Sequence, residues 1–320
     1  MSDVPPEARL WDLMRGTMAT KALGIAADLE VAEALASGPR SVQELARENG
    51  ADAETLQRIL RALASDGVFA EEAPGVFRNT EASDFFRRDR PGSWPEFAHL
   101  FGGAFMEAIA QMDPRTSEPM FHRHFETDFW SWLAANPDER RTFDLAMAGG
   151  KDRSAERLAA LEWRGDEVVV DVGGGNGALL RAFLERAPAG LHGIVFDLPE
   201  TVRDETALGD RLSFVEGSFF EEVPAGDAYV LSAILHDWGD ERATAILRTI
   251  RAGASARSRL LVIESVIPPG NDPNGAKWLD LLMLVIGGKE RTDPEWRSLL
   301  ETAGFGIDEI EDGLIQASCR

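Results

Sequence analysis

Cysteine is almost absent from this 320-residue chain: its single thiol, Cys319, stands next to the C-terminus. One cysteine excludes an intrachain disulfide and a cysteine-ligated zinc cluster, and its terminal position argues against a thiol nucleophile. Long apolar runs are missing as well. Continuous candidates such as Tyr229–Leu235 are strand-sized, far short of the roughly 18 residues a membrane helix needs. Met1–Arg9 is acidic and proline-bearing rather than cationic and then apolar, so no signal peptide is visible and a cytoplasmic protein is expected. Positive charge is the third deficit. Lys and Arg number 33 against 55 Asp and Glu, a net charge of −22, and lysine occurs only at positions 21, 151, 277 and 289. Nucleic-acid affinity comes mainly from Lys and Arg neutralising phosphates, so this balance argues against nucleic acid and, for the same reason, against anionic membrane surfaces. What is present, 44% hydrophobic and 28% charged residues, suits a globular chain of about two domains.

Residues 8–36 and 53–66 carry apolar side chains at helical spacing, Leu56, Ile59, Leu60 and Leu63 among them, with Asp52 placed to cap the second stretch and Gly67 to stop it. Between them, Ser41-Val42-Gln43-Glu44 has the spacing of a capping box. Val68-Phe69-Ala70, a Pro74-Gly75 turn and Val76-Phe77 predict a short hairpin. Three helices and a hairpin make a winged-helix pattern. Such modules commonly bind DNA, but residues 1–90 hold 11 Lys and Arg against 16 Asp and Glu, which favours packing or dimerisation. We divide the chain into a winged-helix-like segment (1–93), a connecting helical layer rich in Phe, Met and Trp (94–160), and a third part (161–320) with a different pattern.

In that third part, Val168–Val172, Ile194–Asp197, Ala228–Leu231 and Leu260–Glu264 are short apolar runs separated by gaps long enough for crossovers. Near-continuous apolar strands alternating with helices imply an α/β fold with a parallel sheet covered on both faces. Gly306–Ile310 and Leu314–Ala317 are joined only by a short acidic turn, as an antiparallel pair at the sheet edge would be.

Asp171-Val172-Gly173-Gly174-Gly175-Asn176-Gly177 follows the first strand and opens a helix near Ala178. Glycines there let the backbone turn tightly and approach a ligand at the helix N-terminus. Two ligands fit. Gly173-x-Gly175-x-x-Ala178, with Asp197 about 20 residues on, also satisfies a dinucleotide fingerprint. Asp171 tips the balance, since a carboxylate at the strand's end repels a pyrophosphate and attracts the cationic amino group of S-adenosylmethionine. A carboxylate that merely caps the loop is the alternative.

Six ordered segments carry a wider resemblance: Asp171–Gly177, Phe196-Asp197-Leu198-Pro199, Glu216-Gly217-Ser218-Phe219-Phe220, Leu235-His236-Asp237-Trp238, Val262-Ile263-Glu264 and Gly287-Gly288-Lys289-Glu290-Arg291-Thr292. With them the chain resembles the S-adenosylmethionine-dependent O-methyltransferases of the plant caffeate and bacterial polyketide type, and Lys21–Phe77 resembles their winged-helix dimerisation domain. The resemblance implies a Rossmann-like methyltransferase sheet in 161–320, a homodimer, and a small aromatic or polyketide-like hydroxylated acceptor. It implies that Gly173 and Gly175 line the cofactor, that Asp197 holds its ribose hydroxyls, that Ser218 and Phe219 sit by the adenine and that Ser232 faces the cofactor. Many members have Asp where this chain has Ser218, whose hydroxyl can hydrogen-bond without charge. Relatives that bind the cofactor without methylating, and a winged-helix ligand sensor, are the competing functions.

His236 occupies the family's general-base position, and Glu264 and Glu290 those of the flanking acids. A histidine can take a hydroxyl proton near neutral pH, and a glutamate on its other nitrogen would orient and stabilise the imidazolium. Met147, Trp278, Asp280 and Met283 resemble acceptor-pocket positions. No metal is expected: His122 and His124 would point the same way only if Phe121–Phe125 were extended, and for Asp240, which could join His236 and Asp237 around a divalent ion, a helix cap ahead of Glu241–Arg251 is a sufficient role.

Overall fold

Capping chemistry starts the helices where the sequence places it. Ser41 Oγ accepts from the Glu44 N–H at 3.3 Å, and the Glu44 carboxylate accepts from the Ser41 N–H at 3.0 Å. Asp52 accepts from the Thr55 N–H at 2.7 Å. The computed structural model describes residues 5–90, 92–149, 151–202 and 210–320; the first four residues of the acidic N-terminus lie outside that range. The chain divides into two units, Met1–Gln111 with Trp130–Gly149, and Met112–Phe129 with Gly150–Arg320, so residues 94–160 are shared between them.

The chain begins with α1 (Pro6–Asp28), α2 (Val31–Ala34), β1 (Arg40–Ser41), α3 (Val42–Asn49), α4 (Ala53–Ser65), β2 (Phe69–Ala73), β3 (Val76–Asn79), α5 (Glu81–Asp84), α6 (Pro95–Gly102) and α7 (Ala104–Ile109). The helix expected over 8–36 is broken after Asp28, because Glu30 adopts φ 48° and turns the chain so that Val31 and Ala32 become buried. The three strands form an antiparallel sheet in the order β1-β3-β2, over a core that includes Leu45, Leu56, Leu60, Phe69 and Phe77. Helices α1 and α6 meet backbone to backbone: a Cβ on Gly24 would lie 2.9 Å from Ala98 O and 3.0 Å from Gly102 Cα. Beyond α8 (Met120–Phe125) come α9 (Phe129–Ala135) and α10 (Pro137–Ala148).

The rest of the chain runs α11 (Lys151–Ala160), β4 (Val168–Val172), α12 (Ala178–Arg186), β5 (His192–Asp197), α13 (Pro199–Val202), β6 (Leu212–Glu216), β7 (Ala228–Ser232), α14 (Asp240–Gly253), β8 (Arg259–Ile263), β9 (Val266–Ile267), α15 (Gly275–Ile286), β10 (Arg291–Thr292), α16 (Asp293–Thr302), β11 (Phe305–Glu311) and β12 (Leu314–Cys319). A seven-stranded sheet has the order β11-β12-β8-β7-β4-β5-β6, parallel from β8 to β6 and antiparallel at β11 and β12. The four expected parallel strands and the terminal antiparallel pair are present. β6 adds a fifth parallel strand at the opposite edge, where three of its five residues are exposed and its apolar signal is correspondingly thin.

Alternation explains why the central strands read as unbroken apolar runs. Val170, Val172, Tyr229, Leu231, Leu260 and Val262 pack on one face with Ile246, Leu247, Trp296 and Leu300. Val169, Val230, Leu261 and Ile263 pack on the other with Leu158, Leu180 and Phe183. Asp171, two residues beyond Val169, is buried on that second face. The order changes direction at β4, whose neighbours are β5 and β7, and the carboxyl ends of β4, β7 and β8 open on one side, where open α/β sheets hold ligands. Among the described residues, no helix is long and apolar enough to cross a membrane.

Candidate active site

The loop after β4 is shaped by close contacts that only glycine permits. A Cβ on Gly173 would lie 2.6 Å from Ile234 Cδ1, and one on Gly174 2.8 Å from Asp171 Cγ; both are shorter than any real packing distance. Gly175, at φ 59°, has nothing within 4 Å of its missing side chain, so the loop presents bare backbone there. Asp197, at the end of β5, holds this loop: its Oδ2 accepts from the Gly175 N–H at 2.8 Å and its Oδ1 from the Leu198 N–H at 2.7 Å. Beneath the glycines, Asp171 is 1% exposed and its Oδ2 has no hydrogen-bond partner. Burial pushes this carboxyl up to about 7, opposed by the charge of Lys151 and assisted by that of Asp197. A buried carboxyl oxygen without a hydrogen-bond partner, beneath a loop of bare backbone, is what a cationic ligand group would complete.

Lys151, the first residue of α11, lies with its Nζ 3.5 Å from Ser232 Oγ at the end of β7. Ser218 Oγ accepts from the Phe220 N–H at 3.3 Å, and Phe219 packs edge-on against Phe220 and Trp238.

A second cluster forms where β7 and β8 end. Ala233 takes φ 58° and turns the chain out of β7 into a short 3₁₀ turn, Leu235–Asp237, which carries His236. His236 Nδ1 lies 2.6 Å from Glu290 Oε1 and 3.4 Å from Glu264 Oε2, and its Nε2 lies 3.5 Å from Asp237 Oδ1. The two glutamates, expected to act alike, divide the work. Glu290 makes the ring hydrogen bond. Glu264 uses Oε1 to accept from the Ile234 and Leu235 N–H groups at 2.9 and 2.8 Å, and so holds the turn itself.

Burial by itself would lower the His236 pKa, but the charges of Glu264, Asp237 and Glu290 outweigh it and raise the imidazole to about 10. Burial likewise raises the Glu264 carboxyl against the opposing pull of His236, and raises Asp237 to about 7. His236, Glu264 and Glu290 have ligand atoms within 4.8 Å of one another. The 2.6 Å contact between two of them is a hydrogen-bond length, shorter than the about 3.3 Å that separates two ligands of one tetrahedral ion.

Asp240 corrects the sequence reading. Gly239 is the N-cap of α14 and Asp240 caps nothing; its Oδ1 accepts from Arg291 Nε at 2.9 Å, away from His236. Phe121–Phe125 is helical, not extended, and His122 pairs with Glu118. Of the expected acceptor-pocket residues, Met147 belongs to α10 and the other three to α15: Trp278 is exposed, Met283 is buried, and Asp280 Oδ1 accepts from the Glu290 N–H at 2.9 Å. Lys151 and Arg291 were missed. Their only sequence signals are the rarity of lysine and the adjacency of Arg291 to Glu290.

A sheet of this order, with a glycine loop over an unpaired buried carboxylate and a histidine ringed by acids, defines an enzyme acting with a nucleoside cofactor that carries a positive group. Comparison narrows this. Residues 104–306 match the O-methyltransferase domain and residues 11–89 the O-methyltransferase dimerisation domain. Phenazine O-methyltransferase PhzM of Lysobacter antibioticus is 38% identical over 96% of this chain and 93% of its own. The 3-amino-4-hydroxybenzoate 4-O-methyltransferase of Streptomyces cremeus is 34% identical over 94% and 86%. The crystal structure of an O-methyltransferase from neocarzinostatin biosynthesis, in complex with S-adenosylmethionine and 2-hydroxy-5-methyl naphthoic acid, superposes with TM-score 0.81 at 33% identity, over 94% of this chain and 96% of that one. The chain belongs to the S-adenosylmethionine-dependent O-methyltransferase family.

The loop carrying Glu290 tolerates no side chain at Gly288, where a Cβ would lie 2.2 Å from His236 O. Gly288→Ala is therefore expected to push the two loops apart and cut turnover at least tenfold while cofactor affinity changes little; steady-state kinetics alongside calorimetric titration of S-adenosylhomocysteine measures both.

Proposed function

We propose that the enzyme methylates a phenolic hydroxyl of a small aromatic acceptor with His236 as general base. The observation that carries this reading is the 2.6 Å contact of His236 Nδ1 with Glu290, which occupies one ring nitrogen; Nε2, whose nearest acid is Asp237 Oδ1 at 3.5 Å, is the nitrogen for the acceptor's proton. When bound, S-adenosylmethionine supplies an electrophilic methyl group on a sulfonium. The chain's residues fit it: Asp171 would receive the ammonium of its amino-acid end, Lys151 the carboxylate, and Asp197 the ribose hydroxyls, with Ser218 and Phe219 beside the adenine and Gly173, Gly175 and Ser232 along the cofactor.

The raised pKa of His236 matters to the chemistry. A phenol near 10 facing an ordinary imidazole near 6.5 makes proton transfer uphill by about 5 kcal/mol. An imidazole at about 10 is matched to the phenol, and the mismatch disappears. The cost is that the ring is largely protonated at neutral pH, with Glu290 and Glu264 stabilising the imidazolium. Because the base must be deprotonated to act, kcat/KM should rise about tenfold per pH unit from pH 7 towards 9. A plateau beginning near pH 6.5 would contradict the raised pKa and leave the base role to be decided by substitution of His236. His236→Ala is expected to keep S-adenosylhomocysteine affinity and to lose about 10²–10⁴ in kcat, and undiminished turnover would overturn the base role.

Asp171→Asn keeps the shape and removes the charge. Calorimetry should show S-adenosylhomocysteine binding weakened at least tenfold; unchanged affinity would mean that Asp171 only supports the loop.

The acceptor class rests on the relatives, whose names specify a phenazine and an aminohydroxybenzoate and whose solved structure holds a hydroxynaphthoic acid. We also propose a homodimer through the first unit. Leu10, Trp11, Leu13, Met14 and Met18 are each more than half exposed along α1, an apolar stripe lying mostly within the dimerisation match. Light scattering should give twice the 35.0 kDa chain mass, and a monomer would refute it.

A further inference from the structure

Arg291 is fully buried, and its guanidinium is surrounded by acceptors. Nη1 donates to Leu235 O at 3.0 Å and to Lys289 O at 3.2 Å, Nη2 to Trp238 O at 2.8 Å, and Nε to Asp240 Oδ1 at 2.9 Å. Leu235 opens the 3₁₀ turn that carries His236, and Trp238 directly follows it. One rigid fork therefore grips both ends of the turn while its own backbone follows Glu290. Two further contacts join the same segments: the Lys289 N–H donates to His236 O at 2.7 Å, and β10 pairs in parallel with β9, just beyond Glu264.

We propose that Arg291 is a positioning residue for methyl transfer, the clamp that sets the separation between the His236 turn and the Glu290 carboxylate. This rests on His236 acting as base, yet what Arg291 sets is a distance that can be read without turnover. A hydrogen bond of 2.6 Å between segments 54 residues apart survives only if both backbones are held to a few tenths of an ångström. Lysine in its place would carry the same charge but present a point donor, unable to span Leu235 O and Trp238 O together. Arg291→Lys thus separates geometry from field.

The test combines NMR titration of the His236 ring with steady-state kinetics on the full-length protein. In Arg291→Lys the His236 midpoint is expected to fall by more than one unit, because the Glu290 contact loosens, and kcat to fall at least tenfold with KM for acceptor and cofactor changed less than threefold. A role confined to stability would lower the melting temperature and leave the ring titration of the folded protein and its pH–rate profile unmoved; that result overturns the proposal. If Arg291→Lys does not fold, Asp240→Ala decides. It removes a half-exposed partner of the same guanidinium and should shift the midpoint the same way with a several-fold loss of kcat, and an unchanged midpoint and kcat overturn the clamp. The base reading fails separately, if His236→Ala retains turnover whatever the Arg291 variant does.

Discussion

Two buried carboxylates and a third nearly so, set around one imidazole, make a costly arrangement. Asp237, Glu264 and Glu290 are held within 3.5 Å of the His236 ring, away from water. Charges taken out of water demand partners. The imidazole pKa is raised, those of Glu264 and Asp237 are raised towards their neutral forms, and the backbone N–H groups of Ile234 and Leu235 are directed at Glu264. The unusual turn after β7, with Ala233 in a left-handed conformation, and the bare Gly288 against His236 O follow from the same demand: three chain segments must converge until their side chains touch.

The cofactor end of the sheet obeys a related constraint with the opposite outcome. Asp171 is also buried and its carboxyl also raised, but its Oδ2 is left without a hydrogen-bond partner. Lys151 stands between the two clusters electrically, since its charge opposes the raised pKa of both Asp171 and Asp237. The large acidic excess of the chain has no part in this. Only a few of its 55 acids lie in these two clusters, and many of the others form exposed ion pairs such as Arg88 with Glu30 and Arg297 with Asp293.

Features governed by neighbours in sequence were legible in the sequence. Capping at Ser41 and Asp52, the glycine loop after β4, the alternation of apolar strands and helices, and the terminal antiparallel pair each depend on interactions within a few residues or on periodicity, and they are found where the pattern put them. The family resemblance extended this to His236, Glu264 and Glu290 as a set. β6 escaped because an edge strand needs few apolar residues, and the break after Asp28 because helical spacing is blind to a single left-handed residue.

The sequence by itself thus determined the alternation of the central strands with helices, the glycine loop and the family. Only the tertiary structure decided which glutamate meets the imidazole, that Asp240 serves Arg291 rather than a helix end, and that Arg291 lies inside the protein at all. The physical reason is range. Strand and helix signals are set by local sterics and burial, whereas a hydrogen bond between residues 30 to 54 positions apart depends on where several strands end relative to one another, to within a fraction of an ångström.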